Sequence, residues 1–210
     1  AIEPDQVIVN GDIVNRGPQS LDCLEAVRAT GWPVIYGNHE DYAVKRRERG
    51  FPPEWGAPFF DPFQQVADSL NDEQDAYLRS LPTFRVVDLP GLPALHITHG
   101  SPRALNDGLG PWLDDAAVVE RLDMIAEPVL IGAHTHRPFD RRIGERWVLN
   151  TSAVGVPYNG NPHAQYLLLT GEDGAWHATF RRVAYDRGLV YAAYESNGAM
   201  DYVINHVFKH

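Results

Sequence analysis

Apolar runs of strand length recur along the chain, and four of them end at a glycine beside a side chain that can bind metal. Val7-Ile8-Val9 leads into Gly11-Asp12, and Val34-Ile35-Tyr36 into Gly37-Asn38-His39-Glu40. Leu95-His96-Ile97 leads into His99-Gly100, and Val129-Leu130-Ile131 into Gly132-Ala133-His134-Thr135-His136. Short apolar runs bounded by turn residues read as buried strands. Between the first two, Ser20 is placed to cap a helix over Ser20 to Thr30, so the opening residues predict a β-α-β unit. Asp41 to Arg49 reads as a helix, and Asp72 to Ser80 as a short one capped by Asn71 or Asp72. Phe84 to Leu89, the turn Pro90-Gly91-Leu92-Pro93 and Ala94 to Thr98 predict a hairpin leading into His99. Asp114 to Met124 carries Ala117, Val118, Leu122 and Ile125 on one helical face. After His136 the pattern is β: Trp147 to Asn150, Gln165 to Thr170 and Ala175 to Val183, the last two joined by Gly171-Glu172-Asp173-Gly174. The stretch from Asp186 to His210 is read as ending in a helix, Met200 to Phe208.

Alternating strands and helices predict an α/β fold. No repeat and no low-complexity linker interrupts the chain, so residues 1–210 are read as one domain. Within it, Gly50 to Asn71, rich in Pro and aromatics, is read as a lid-like insertion, and Asp186 to His210 as a C-terminal tail. Phe51, Trp55, Phe59, Phe60 and Phe63 are expected to pack this lid onto the core, with a cleft that stacks a nucleobase as the alternative.

Composition narrows the function class. The 210 residues are 44% hydrophobic and 22% charged, as in ordinary globular proteins. No run reaches the roughly 18 apolar residues of a membrane span, and no membrane partner is expected. Cys23, the single cysteine, cannot form an intrachain disulfide and is expected to be a small buried residue on the first helix. A cytoplasmic location is the expectation. The net charge of −10 opposes non-specific binding to nucleic acid, and Lys45-Arg46-Arg47-Glu48-Arg49 is read as a solvated helix face.

Each of the four segments has an ordinary reading on its own. Gly-Asp is a common turn, and a histidine after a strand is commonly at the surface. In His134-x-His136, an extended backbone would point the two imidazoles apart, whereas a tight turn after Ile131 would aim both at one cluster. Their shared position after apolar strands makes coincidence the weaker account. A site of carboxylate, imidazole and amide donors suits a hydrolase that uses divalent metals to activate water. His96, inside a strand, is read as structural, and His163, His177, His206 and His210 lack partners in the pattern. Tyr158 and Asn159, after the Ser152-to-Gly155 loop, are within chain reach of the site but are assigned no role.

These segments resemble the motifs of the calcineurin-like metallophosphoesterases, which run Asp-x-His, Gly-Asp, Gly-Asn-His-Asp/Glu, a His-Gly pair and Gly-His-x-His. The matching stretches are Val9 to Pro18, Gly37 to Glu40, Thr98 to Pro102 and Gly132 to His136. Asn150 to Gly155 is similar to the family's late loop. Residues around Asp12 resemble bacterial relatives of serine/threonine protein phosphatases and diadenosine tetraphosphatases. The resemblance implies a four-layer β-sandwich flanked by helices. No Asp-x-His precedes Asp12, so the expectation is that the first strand lies outside this sequence. It further implies phosphoester hydrolysis of a small phosphorylated substrate, monoester or diester, by a metal-activated hydroxide at a binuclear centre. Manganese is the first choice, with Fe, Zn, Ni or Mg as alternatives. Asp12 would bridge both metals, Asn38, His99 and His134 would complete one site, and His136 would belong to the other. Asn38 would also face the substrate phosphate. His39 would be the general acid or hold the phosphate, and Arg16 would grip phosphate oxygens. Asn15 and Glu40 would stand behind these residues as orienters. Asn15 occupies the position of an aspartate that pairs with the acid histidine in the protein phosphatases. The alternative function is a scaffold or binding protein that keeps the fold without turnover.

Overall fold

The computed structural model describes residues 2–50 and 61–196. These divide into two compact units, one formed by Ala1–Pro82 with Asp186–His210, the other by Thr83–Tyr185. The first is helical apart from one parallel bridge and the second holds the sheets, together the α/β mixture the pattern predicts.

In the first unit the order is α1 (Ser20–Thr30), α2 (Asn38–Arg49), α3 (Asp61–Ser69), α4 (Asp72–Ser80) and, later in the chain, α6 (Arg187–Ser196). The two predicted strands reduce to one parallel bridge, Val9 with Val34. Val9 N donates to Pro33 O and Ile35 N to Val9 O, each at 2.9 Å. Toward the N-terminus the ladder needs the N–H of residue 33, which is a proline and has none. Toward the C-terminus it needs the N–H of Gly37, which instead donates to Glu40 Oε2 at 2.8 Å. The pairing is therefore confined to one step.

Gln19 holds the N-cap position of α1 without a side-chain capping bond, and Ser20 is the first helical residue, its hydroxyl donating to Gly17 O at 3.2 Å. It ends on Gly31 at φ 66°, a left-handed position that suits glycine. Leu24 is fully buried, and Cys23, expected inside, is exposed. The apolar stripe of α1 passes through Leu24, one residue along. Helix α2 starts three residues before the predicted Asp41, so Asn38, His39 and Glu40 form its first turn. Its basic end is half-exposed to exposed and laced with ion pairs, including Lys45–Asp41 and Arg47–Asp72 at 2.6 Å. Helix α4 keeps its predicted bounds with Asn71 as cap: Gln74 N donates to Asn71 Oδ1 at 2.8 Å, and Asn71 N to Gln74 Oε1 at 3.0 Å. Helix α3 lies within the predicted lid. Phe51, Trp55, Phe59 and Phe60, and the helix Met200 to Phe208 with His206 and His210, fall outside the described residues. Val14, Leu24, Ala43, Val44, Leu70 and Leu78 form the core of this unit. The Tyr194 hydroxyl, on α6, donates to the carbonyl of Arg16.

The second unit is built on β1 (Phe84–Val87), β2 (Leu95–Thr98), α5 (Asp115–Leu122), β3 (Val129–Gly132), β4 (Pro138–Ile143), β5 (Arg146–Thr151), β6 (Ala164–Glu172) and β7 (Ala175–Val183). Five strands lie in the order β1-β2-β3-β5-β4, and β6 and β7 form a separate hairpin. Strands β2, β3 and β5 are mutually parallel, so Thr98, Gly132 and Thr151 leave the sheet at one edge. The antiparallel partners β1 and β4 close its sides. The sequence pattern missed β4 because it is an edge strand carrying Asp140, Arg141 and Arg142, with only Phe139 buried. Its charges are used: Trp147 Nε1 donates to Asp140 at 2.6 Å, and the Arg142 guanidinium lies 3.7 Å over the Trp147 ring. The β6–β7 turn shortens from the predicted four residues to Asp173-Gly174, both at positive φ, as in the mirror-image turns that match strand twist. Leu109, Val118, Leu122, Leu130, Phe139 and Val148 fill the core beneath α5. His96 is structural as expected, stacked on Phe84 with Nδ1 3.1 Å from Glu127. No helix among the described residues is long and apolar enough to cross a membrane.

Leu24→Ala should lower the free energy of unfolding by about 2–5 kcal/mol, the range for a large buried aliphatic. The neighbouring Cys23→Ala should change it by less than about 0.5 kcal/mol. Urea denaturation of the two variants checks which residue α1 buries.

Candidate metal centre

In the first unit the site is organised around the meeting of the Asp12 turn with the start of α2. Helix starts leave several N–H groups without helical partners. Here Gly37, the N-cap, has no side chain to offer, and Asp12 Oδ1 takes that role by accepting from His39 N at 3.0 Å. Glu40, fully buried, reaches back from the first helical turn. Its Oε2 accepts from Asp12 N and Gly37 N, both at 2.8 Å, and its Oε1 from Ile13 N at 2.8 Å and Val14 N at 3.4 Å. The two carboxylates thus hold each other's backbone. Gly37 is required there: a Cβ would stand 2.4 Å from Asp12 Oδ1 and 2.6 Å from Asp12 N. Asn38 is buried beside it as the first helical residue.

The His39 imidazole is buried, with Nε2 3.8 Å from Asp12 Oδ2 and Nδ1 3.3 Å from Val14 O. The ring of Phe63 meets it edge-on at 5.1 Å, and Tyr42 lies at 6.1 Å. Asn15, expected to orient this imidazole, instead donates its amide to the main-chain carbonyl of His39 at 3.1 Å. At φ 70° its backbone is already turning away, which leaves the side chain within reach of the helix backbone. Arg16 follows at φ 57°, its guanidinium 5.7 Å over the Phe63 ring, and Gly17 N closes the turn on Asn15 O at 2.7 Å. Burial, then the Asp41 and Glu40 carboxylates, push the Tyr36 hydroxyl well above its ordinary range, which keeps it protonated.

In the second unit the predicted histidines follow the shared edge of the parallel strands. His99 is buried, and its ring meets that of His134 at 5.5 Å and 70°, with ring nitrogens within 4.8 Å of one another. Ala133 N donates to His99 O at 2.7 Å, joining the two strand ends. Thr135 N closes a three-residue turn on Ala133 O at 2.5 Å, with His134 at φ 55° and His136 at φ 57°. That turn replaces an extended backbone through His134. His136 Nδ1 is 2.7 Å from Val156 O, which assigns its proton to Nδ1 and leaves the lone pair on Nε2. Tyr158 stacks on this ring at 4.9 Å and 17°.

Asn150 and Ser152 hold the edge together. Asn150, fully buried, donates to Leu109 O at 3.0 Å and to Ala133 O, and accepts from Ser152 N at 3.0 Å. Ser152 Oγ lies 3.2 Å from His136 O and 3.0 Å from Gln165 Oε1, with its one hydroxyl hydrogen to offer them. The motif pattern contained Asn150 and Ser152 without assigning them roles. Gln165 and Tyr158 carried no signal of their own.

Backbone strain marks the same places. The non-glycine residues at positive φ among those described are Asp12, Asn15, Arg16, His134, His136, Ser152 and Asp173. All but the hairpin residue Asp173 belong to the motif segments. Such conformations cost of order 1–3 kcal/mol each and persist only where the surroundings fix them. The first unit offers carboxylate and amide oxygens and the second imidazoles, donor types that without thiolate fit Mn, Fe, Zn or Ni.

The model of the calcineurin-like phosphoesterase superfamily domain matches residues 1–174. Among curated proteins, the chain is 40% identical to the symmetrical bis(5'-nucleosyl)-tetraphosphatase of Aromatoleum aromaticum over 85 residues, 39% of this chain and 30% of that protein. It is 36% identical to serine/threonine-protein phosphatase 2 of Escherichia coli over 69 residues, 33% of this chain and 32% of that protein. The matches thus span about a third of the length of those relatives. A metallophosphoesterase from Sphaerobacter thermophilus shares the fold with a TM-score of 0.75 at 24% identity, over 96% of this chain and 87% of that one. A hypothetical protein from Pyrococcus horikoshii does so with a TM-score of 0.77 at 20% identity, over 97% and 84%. The family match runs through every motif segment from Asp12 to Ser152, and the chain belongs to the calcineurin-like phosphoesterase superfamily.

Proposed function

We propose that this chain is a metal-dependent phosphoesterase acting on a small phosphorylated molecule. The observation that carries the reading is the His99–His134 pair, set on a strained turn past the carboxyl ends of parallel strands. In α/β sheets that edge is where sites are built. Asp12 would bridge two divalent ions, with Asn38, His99 and His134 completing one site and His136 joining the other through Nε2. When bound, the ions would acidify a water and neutralise phosphoryl oxygens, and manganese is the metal we assign. The names of the matched relatives, a tetraphosphatase and a protein phosphatase, support hydrolysis of phosphoric esters. The absence of a predicted membrane span and the single cysteine support a cytoplasmic setting.

The protein's own residues divide the remaining work. His39, held at its main chain by Asp12 and Asn15, carries a proton at Nε2 for the departing oxygen. Arg16 swings from the Phe63 face to meet two phosphate oxygens with its planar fork. Asn38 faces the same phosphate at the N-terminus of α2, where the helix dipole favours negative charge. Glu40 fixes the Asp12 turn without touching substrate.

Mn²⁺-dependent hydrolysis of bis-p-nitrophenyl phosphate or p-nitrophenyl phosphate should be lost on chelation. In Asp12→Asn, kcat/KM should fall by more than the roughly 10- to 100-fold typical of removing an outer partner of a metal ligand; full activity in that variant sinks the assignment. His39→Ala should keep its metal content, read by atomic absorption, while kcat drops about 10²- to 10⁴-fold. Metal loss in that variant would mean His39 is a ligand instead.

A further inference from the structure

Between His99 and α5 lies a side-chain network to which the reading above gives no part. Ser101, buried, donates its hydroxyl to Asp107 Oδ2 at 2.5 Å. Asp107 Oδ1 accepts from Arg121 Nη2 at 2.6 Å, and Arg121, only 7% exposed, also donates to Ala117 O on its own helix at 2.7 Å. Arg103 N donates back to Ser101 Oγ at 3.1 Å. Glu120 pairs with Arg103 and stands 3.9 Å from Arg121 Nη1. Burial pushes the Asp107 carboxyl up, but hydrogen bonds from Arg121 and Ser101 outweigh it and hold the group below its ordinary range, so it stays ionised.

A partly buried ion pair of this kind adds little net stability over apolar packing, because desolvation offsets much of the attraction. What it supplies is a fixed geometry, and the loop it fixes begins two residues after His99 and ends beside the His134 segment. A Cβ on Gly100, the residue after His99, would stand 2.3 Å from Ala104 O and 2.4 Å from Leu105 O, so the loop folds directly over that position. At the other end, a Cβ on Gly108 would stand 2.6 Å from the Thr135 methyl and 3.6 Å from the His134 ring. Leu109 O then accepts from Asn150 Nδ2 at 3.0 Å and from the Thr135 hydroxyl at 3.5 Å. Residues 101–109 form a strap whose ends abut His99 and His134. Its middle is pinned by Arg121 to α5, itself seated in the core through Val118 and Leu122.

We propose that the Ser101–Asp107–Arg121 network is a positioning clamp that sets the His99 and His134 imidazoles relative to one another. The use of that geometry, metal binding, rests on the phosphoesterase reading. None of the three residues is assigned contact with substrate.

The test uses the full chain. Arg121→Met alone would leave the half-buried Asp107 carboxylate without its ion-pair partner, so the double variant Arg121→Met/Asp107→Leu removes both partners together. Val118→Ala serves as a control that loosens the same helix without cutting the clamp. In metal-free protein, histidine ¹H–¹³C ring resonances should shift and broaden for His99 and His134 in the double variant and stay in place in Val118→Ala at matched Tm. Mn²⁺ affinity, read by electron paramagnetic resonance, should fall tenfold or more in the double variant only, and Arg121→Lys should recover part of it. Histidine resonances in the double variant that match the control would overturn the clamp. Wild-type protein that binds no Mn²⁺ would overturn the metal reading instead, while the resonances still decide the clamp.

Discussion

Every motif residue of the first unit depends on one reciprocal arrangement, the exchange of carboxylates between the Asp12 turn and the first turn of α2. Asp12 caps the helix at His39 N, and Glu40 in return accepts from the backbone of residues 12, 13 and 37. Hydrogen bonds to a charged acceptor contribute about 1.5–3 kcal/mol each. Several of them therefore offset the strain of Asp12 at φ 58° and the burial of Glu40. The arrangement also dictates residue type: Gly37 must lack a side chain, and residue 40 must be long enough to reach back across the turn. Gly-Asn-His-Glu is thus a structural device as well as a chemical one.

The second unit reaches a comparable result by different means. Three parallel strands deliver their last residues to one edge, and short turns at positive φ then aim the side chains. Asn150 and Ser152 tie those turns to the sheet from β5. Strain of this kind is kept in folded proteins where neighbouring contacts over-determine it, and here the contacts are buried amides, hydroxyls and carbonyls rather than apolar packing.

The sequence revealed the elements whose identity is decided locally. Helix α1, the capped helix α4, the β1–β2 hairpin and strand β3 follow from periodicity, turn residues and apolar runs. The start of α2 was hidden because its capping groups, Asp12 and Glu40, act through tertiary contact rather than through the N-cap side chain. Strand β4 was hidden because an edge strand with outward charges lacks the apolar run of a central one. The brevity of the Val9–Val34 pairing follows from Pro33 and from Gly37's competing partner, the second of which no local pattern shows. Site residues that bear chemistry were visible as motifs. Those that only hold them, such as Gln165, Tyr158 and Arg121, were not, because a buried amide, a stacked ring and a buried ion pair leave no spacing signature.

The central proposal is that these segments bind divalent metal. Crystals of the full chain grown with saturating Mn²⁺ and measured at the manganese absorption edge test it directly. The account expects anomalous peaks within coordination distance of Asp12, Asn38, His99 and His134, and of Asp12 and His136. Manganese bound elsewhere, or no peak at these side chains, would contradict it.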